Sequence, residues 1–295
     1  MATIAEQLQQ LNDIKSAIKT AISNRGVAVA DTDTFRSYAD KIGEIGETVN
    51  KTKYGANVDA LLGDVDENGV LQTPTAQAAL NFAGVREIGY KGLIYKFHYC
   101  SNITSVDLSS LQSVGDQGMY HAFYNCDGIT SVNLSSLQTV DSNGLYGAFY
   151  GCSGITSLDL SSLQSVGRYG LDATFSGCTS ITGALNLSSL QSVGDAGLNS
   201  AFSGCKGVTS VDLSSLQTVG NSGLYSAFRD CKGLTTISFP SLISVQTYSL
   251  ENTFLGCTNL AEIHFRADMQ ATIEALTGYS SKFGATNATI YFDLQ

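Results

Sequence analysis

Seven cysteines are the first residues with the makings of chemistry: Cys100, Cys126, Cys152, Cys178, Cys205, Cys231 and Cys257, spaced by 26, 26, 26, 27, 26 and 26 residues. Thiolates at C-x-x-C spacing hold zinc, and an even set forms a disulfide framework. Here no C-x-x-C pair exists and the count is odd. Stacked coils would bring neighbouring Cys backbones to about 5 Å, inside disulfide range, so geometry alone leaves bridges open. The reading adopted is a buried ladder of reduced, unreactive thiols, packing as small hydrophobes. The histidines are three, His98, His121 and His264. A catalytic imidazole needs an oriented partner, and no serine elbow, paired histidine or phosphate-cradling glycine loop accompanies them. Asp64-Val-Asp-Glu-Asn-Gly69 matches the first half of a calcium loop, but Thr75 stands where the bidentate glutamate belongs. It reads as a tight turn between strands, with a weak surface cation site as the alternative. No catalytic residue, metal or cofactor is expected, and the chain is not expected to be an enzyme.

These residues sit in a chain of 295 residues with only 14% charged side chains, 30 glycines, 2 prolines and a net charge of −10. That acidity repels nucleic-acid phosphates and anionic lipid, so neither nucleic acid nor membrane insertion is expected. Met1 to Ala30 lacks the basic start and apolar core of a signal peptide.

The cysteine period belongs to a repeat. Phe97, Phe123, Phe149, Phe175, Phe202, Phe228 and Phe254 each precede a cysteine by three residues, and the unit from Phe123 reads FYNCDGITSVNLSSLQTVDSNGLYGA. Such a unit cannot bury its apolar face alone, whereas stacked copies cover one another. Ile129, Val132 and Leu134 read as a strand, Leu137 and Val140 as a second short one, and LYGAFYGC as a short helical turn sending Leu145, Phe149 and Cys152 inward. The extra residue in ITGALNLSSL predicts a bulge there. Six to seven coils at ~4.8 Å per strand give a rod roughly 30 to 35 Å long.

The F-x-x-C-x-x-I-T-S-V-x-L pattern resembles the BspA-type leucine-rich repeats of bacterial surface adhesins, protozoan surface proteins and gut bacteriophage virion proteins, over about Leu80 to Phe265. The expected fold is mainly β with short helices, a BspA-like leucine-rich-repeat solenoid preceded by an N-terminal helical segment. Its parts are residues 1–50, an attachment or oligomerisation segment; 51–79, a linker and N-terminal cap; 80–265, the solenoid; and 266–295, a C-terminal cap.

In the first segment Ile4, Leu8, Leu11, Ile14, Ile18 and Ile22 line one helix face, and Phe35, Tyr38 and Ile42 a second. An a/d reading of the first helix suits a trimeric or dimeric coiled coil, so a homo-oligomer is expected. LNDIKSAIKTAISNRGVAVADTDTFRSYADKI is similar to N-terminal segments of phage tail, fibre and other virion proteins, and ALTGYSSKFGATNATIYFDL to C-terminal caps of phage proteins with these repeats. In the last piece of the chain, Ala271 to Leu276 reads as helix and Thr289 to Leu294 as strand. The resemblances imply a virion structural protein, made in the host cytoplasm, with other virion proteins and a host-surface glycan or protein as partners. A bacterial BspA-like surface adhesin is the alternative.

The candidate contact residues are a polar ladder, Asp107, Asn133, Asp159, Asn186 and Asp212, and the tyrosines Tyr120, Tyr124, Tyr146 and Tyr150 of the early coils, with Tyr169 and Tyr225 further along. Carboxylates and amides fix hydroxyls while rings stack on apolar sugar or protein faces. The competing reading is that the ladder merely solvates a strand face and the rings pack on neighbouring coils.

Overall fold

The computed structural model describes residues 79–82 and 84–295, so the residue 1–50 attachment helices, the linker before residue 79 and the Asp64 to Gly69 turn lie outside the described residues. What it describes is a parallel β-solenoid whose coils have three walls.

The first wall is a ladder of two-residue strands: Glu87–Ile88, Ser113–Val114, Thr139–Val140, Ser165–Val166, Ser192–Val193, Thr218–Val219 and Ser244–Val245 form one seven-stranded parallel sheet. Successive strands pair one coil apart in strict register, Val114 on Val140 and Val140 on Val166. A slip of one residue would turn every valine out to water, which is why the register holds. The second wall carries Ser105–Asp107, Ser131–Asn133, Thr182–Asn186, Gly207–Asp212, Thr236–Phe239, Glu262–Arg266 and Thr289–Leu294, again parallel to their neighbours. The pairing is irregular at the expected coil, but the residue passed over is Thr209 of the strand that follows rather than one of ITGALNLSSL: Val208 pairs with Gly183 and Ser210 with Ala184. Gly183 has φ +83° there, a conformation in which a side chain would be strained.

The third wall corrects the expected helical turn. Along 143–152 alternate amides bond three residues back, from Gly144 to Asp141, Tyr146 to Asn143, Ala148 to Leu145 and Cys152 to Phe149. The amides between them cross to the next coil, Asn143 to Arg168, Leu145 to Gly170, Gly147 to Asp172 and Phe149 to Thr174, at 2.8 to 3.0 Å. Every fourth residue, here Asn143, Gly147 and Gly151, has positive φ. A helix would close all its amides within itself and leave none to join coils, whereas this ribbon satisfies each N–H and still contributes half of them to the stack.

Inside, one coil contributes Ile129, Val132, Leu134, Leu137, Val140, Leu145, Phe149 and Cys152, all buried. The phenylalanines form a continuous stack, with centroids 5.1 Å apart at Phe97–Phe123, 5.5 Å at Phe149–Phe175 and 6.3 Å at Phe228–Phe254, and planes within 9°. Gly144 is required by close approach: a Cβ there would sit 2.7 Å from Val140 Cγ1 and 3.2 Å from the Gly115 carbonyl of the coil before. At the C-terminal end a short helix, Gln270–Glu274, and the strand Thr289–Leu294 close the stack, burying Ile273, Leu276 and Phe283 over its open apolar end. Both elements fall where the sequence placed them. Among the described residues no helix is long and apolar enough to cross a membrane.

Candidate functional site

The polar ladder lies on the second wall, in register: Asp107 pairs with Asn133, Asp159 with Asn186, and Asn186 with Asp212. Each side chain has a local task. The Oδ1 atoms of Asp107, Asn133, Asp159, Asn186 and Asp212 accept hydrogen bonds from the backbone N–H two residues on, in Ser109, Ser135, Ser161, Ser188 and Ser214, at 2.9 to 3.1 Å. These are Asx turns, which steer the chain out of the strand into the Leu-Ser-Ser-Leu corner. Acid and amide alternate along the ladder, so no two carboxylates sit on adjacent rungs, where like charges would repel. The first three rungs border an open groove of about 680 Å³, lined by Ser105, Asp107, Ser131, Asn133, Ser157 and Asp159 among others, which Asn186 and Asp212 do not line. The groove can offer hydroxyls, amides and regularly spaced carboxylates; it contains no aromatic ring.

The tyrosines lie on the third wall, apart from that groove. Two columns of the turn ribbon bring them together across coils: Tyr120 stacks on Tyr146 at 4.8 Å and 9°, and Tyr124 on Tyr150 at 4.8 Å and 4°. Four further rings join the cluster. Tyr95 stacks on His121 at 5.5 Å and 2°, while Tyr99 meets Tyr124 edge-on at 5.7 Å and His98 meets Tyr99 at 5.4 Å. The sequence reading did not put Tyr95, Tyr99, His98 or His121 in the site, although aligning residues 81–97 with 133–149 already sets Tyr95 in a ribbon column. Tyr169 carries the Arg168 guanidinium over its ring, and Tyr225 accepts a hydrogen bond from Asn252.

The electrostatics of this face are those of neutral groups. Burial raises the Tyr120, Tyr124 and Tyr146 phenols, and burial together with nearby His98 lowers the His121 imidazole, so at neutral pH His121 is uncharged. At the inner end of the Tyr120–Tyr146 stack sits Asp172, only 7% exposed, with Asn199 donating to its Oδ2 at 3.3 Å. Burial pushes its carboxyl up to about 7.

The thiols form the ladder that their spacing suggested. All seven are reduced, with no disulfide among them, and all are buried. Six donate to the carbonyl of the Phe in the preceding coil, from Cys126 to Phe97 at 2.8 Å through Cys257 to Phe228 at 2.9 Å. Burial raises their pKa values, those of Cys152 and Cys205 to about 12, which removes the thiolate that metal binding or nucleophilic attack would need. Among the described residues no three His, Cys, Asp or Glu gather as a metal site requires. His264, beside the C-terminal cap, lies 2.9 Å from Asp293 and stacks on Tyr291 at 4.8 Å, in a strand pairing with no nucleophile beside it.

The model of the BspA type Leucine rich repeat region matches this chain in six copies, over residues 93–218 and 172–277. No curated protein sequence matches it. Among solved structures, a leucine rich cell surface protein from Faecalibacterium prausnitzii is 16% identical over 71% of this chain, TM-score 0.33, and this chain spans 65% of that protein, less than two thirds of its length. The T. pallidum leucine rich repeat protein is 18% identical, with 76% of this chain and 89% of its own covered and a TM-score of 0.36. A leucine-rich repeat protein from Bacteroides ovatus is 18% identical, with 70% and 76% covered and a TM-score of 0.21.

Proposed function

Since the chain belongs to the BspA-type leucine-rich repeat family, we propose that it is a binding protein displayed at a surface, without catalytic activity, whose contact face is the aromatic end of the turn ribbon. The observation that carries this reading is the confinement of the ring cluster to the first three described coils, from Tyr95 to Tyr150, while the backbone beneath it repeats along the whole solenoid. Rings that the fold needs recur in every coil, as the Phe stack does. Rings held at one end, partly in water, are available to a partner.

The place of display is the virion of a bacteriophage. The support is the sequence of residues 11–42 and of residues 275–294, both similar to phage virion proteins. In this reading the N-terminal helices attach the chain to other virion proteins as an oligomeric fibre or decoration-type appendage, and the solenoid reaches a host-surface glycan or protein. The second reading, a bacterial surface adhesin, is favoured by the family itself, whose members include such adhesins; both readings use the same contact face.

Two measurements test the proposal. Quantitative peptide mass spectrometry of purified particles and of cell envelopes from a producing culture separates the places: stoichiometric recovery in particles supports the virion, and recovery in envelopes alone replaces it with the adhesin. Adherence of the fluorescently labelled full chain to host bacterial cells tests the contact role, which fails if no saturable binding is seen.

A further inference from the structure

Within the cluster the structure shows a cleft of about 260 Å³ lined by Tyr95, His98, Tyr99, His121 and Tyr124. We propose that this cleft binds one neutral pyranose ring of a surface glycan; the inference deepens the reading of the turn face as the contact surface and rests on it.

The repeat itself provides the control. Each coil has a left-handed ribbon position just before its cysteine, occupied in order by Tyr99, Asn125, Gly151, Gly177, Gly204, Asp230 and Gly256, all with φ between 55° and 81°. Glycine, asparagine and aspartate are the types that adopt this conformation at least cost, and Tyr99 is the one bulky ring among them. Four residues earlier the series runs Tyr95, His121, Gly147, Ala173, Ser200, Ser226 and Asn252, again all with positive φ. Small residues build the same ribbon, so the fold does not ask for rings at positions 95, 99 and 121. Side chains held in a costly conformation cluster where a function over-determines them. The exposure points the same way: Tyr99 keeps 64% and Tyr95 44% of its surface in water.

The chemistry of the lining selects the ligand. No Lys, Arg, Asp or Glu lines the cleft, and burial keeps His121 uncharged, so neither an anionic nor a cationic ligand finds a counter-charge. What the cleft offers is ring faces, three phenol hydroxyls and two imidazoles. His98 Nδ1 lies 2.6 Å from the Tyr95 carbonyl, which accepts its proton and leaves Nε2 as an acceptor. Neighbouring rings stand steeply to one another, His121 to Tyr124 at 60° and Tyr99 to Tyr124 at 69°, so faces and edges both border the space. Apolar faces with a fringe of neutral donors and acceptors match a pyranose, whose C–H face is apolar and whose rim is hydroxyl. The volume lies below the ~300 to 1,000 Å³ of sites for larger ligands, which suits a single ring rather than an enclosed chain.

The test uses the full chain in affinity electrophoresis through gels containing mannan, dextran, galactomannan and laminarin as neutral polysaccharides, and polygalacturonate and hyaluronan as acidic ones. The expected result is retardation by at least one neutral polysaccharide and by neither acidic one. Tyr95→Asn with Tyr99→Asn, residues the other coils carry at these positions, should weaken that retardation at least about tenfold while the melting temperature stays level or rises. Retardation by an acidic polysaccharide, no retardation by any neutral one, or a neutral interaction that the double variant keeps would each overturn the proposal. The cell-adherence assay separates the two levels: adherence retained by the double variant refutes the cleft and leaves the turn face standing, whereas a wild-type chain that does not adhere refutes both.

Discussion

Asp172 is the position at which the structure makes its sharpest thermodynamic prediction. It occupies the ribbon column of Tyr120 and Tyr146, is 7% exposed, and has Asn199 of the next coil on its Oδ2. Burial without a cation holds the carboxyl at about 7 against an ordinary 3.8. The folded state therefore keeps a proton that the unfolded chain has already released between about pH 4 and pH 7. With more protons bound in the folded state, stability falls as pH rises through that window and levels off above it. At about 1.36 kcal/mol per pH unit the full interval is worth roughly 4 kcal/mol. Relaxation and entering water return part of a desolvation cost, so about 2 to 4 kcal/mol is the working range. Asp172→Asn removes the titration without changing shape, and Asn199 in the equivalent place one coil on shows that the column accepts an amide. The variant should melt about 4 to 16 °C above wild type at pH 8, taking roughly 2 to 4 °C per kcal/mol for a domain of this size. The two should converge near pH 4. Differential scanning calorimetry of both chains from pH 4 to 8 measures this directly, because every other carboxylate is common to the pair. A melting difference that is the same at pH 4.5 and pH 8, or wild type the more stable at pH 8, would refute the reasoning.

Three further outcomes follow from the same geometry. The seven thiols should be silent to a thiol reagent in the native protein and react together on denaturation; rapid modification of even one native cysteine would contradict the buried, carbonyl-bonded ladder. Gly144→Ala should cost about 1 to 3 kcal/mol in urea unfolding, since its Cβ would press on Val140 and on the Gly115 carbonyl of the neighbouring coil, and an unchanged midpoint would show that the coils separate freely. Asn133→Asp keeps the Asx turn but places three carboxylates on consecutive rungs, so it should destabilise by about 0.2 to 1 kcal/mol at low salt and lose that effect at high salt; a salt-independent loss would mean that the amide is needed for itself.

Much of this was legible from residue spacing because a stacked repeat writes its core in a fixed period. The Phe and Cys ladders, the valine strands and the closing strand Thr289–Leu294 all sit where the sequence puts them, and the extra residue of ITGALNLSSL disturbs the pairing beside it, at Thr209. The turn ribbon was not legible from apolar spacing, since Leu145, Phe149 and Cys152 are four and three residues apart, as on a helix. The discriminating signal was polar: Asn143, Gly147 and Gly151, every fourth residue, are types suited to positive φ and poor in helix interiors. The Asp/Asn-Leu-Ser sequence likewise carried the Asx turn in plain view, but a ladder of carboxylates drew the eye toward ligands. The aromatic site was half seen. Tyr120, Tyr124, Tyr146 and Tyr150 stood out by count, whereas Tyr95, Tyr99, His98 and His121 join them only once the coils are wound.

That winding also changes what the repeat implies for affinity. A ladder of identical surfaces would give many equivalent contacts along one rod, and the recurring Asx-turn wall has that character. The aromatic cleft does not recur among the described residues: after the third coil its columns carry no ring, running through glycine, alanine and serine to Asn252, Asp230, Arg229 and Leu255. A single open cleft of neutral groups binds weakly, because little area is buried and no charge pair adds to it. Useful adhesion then depends on several chains presenting their clefts together, where linked sites raise avidity by orders of magnitude without any new contact. Under the proposed function the solenoid would act as a spacer and rigid mount for the ring cluster, and the number of chains assembled together would set the strength of the grip.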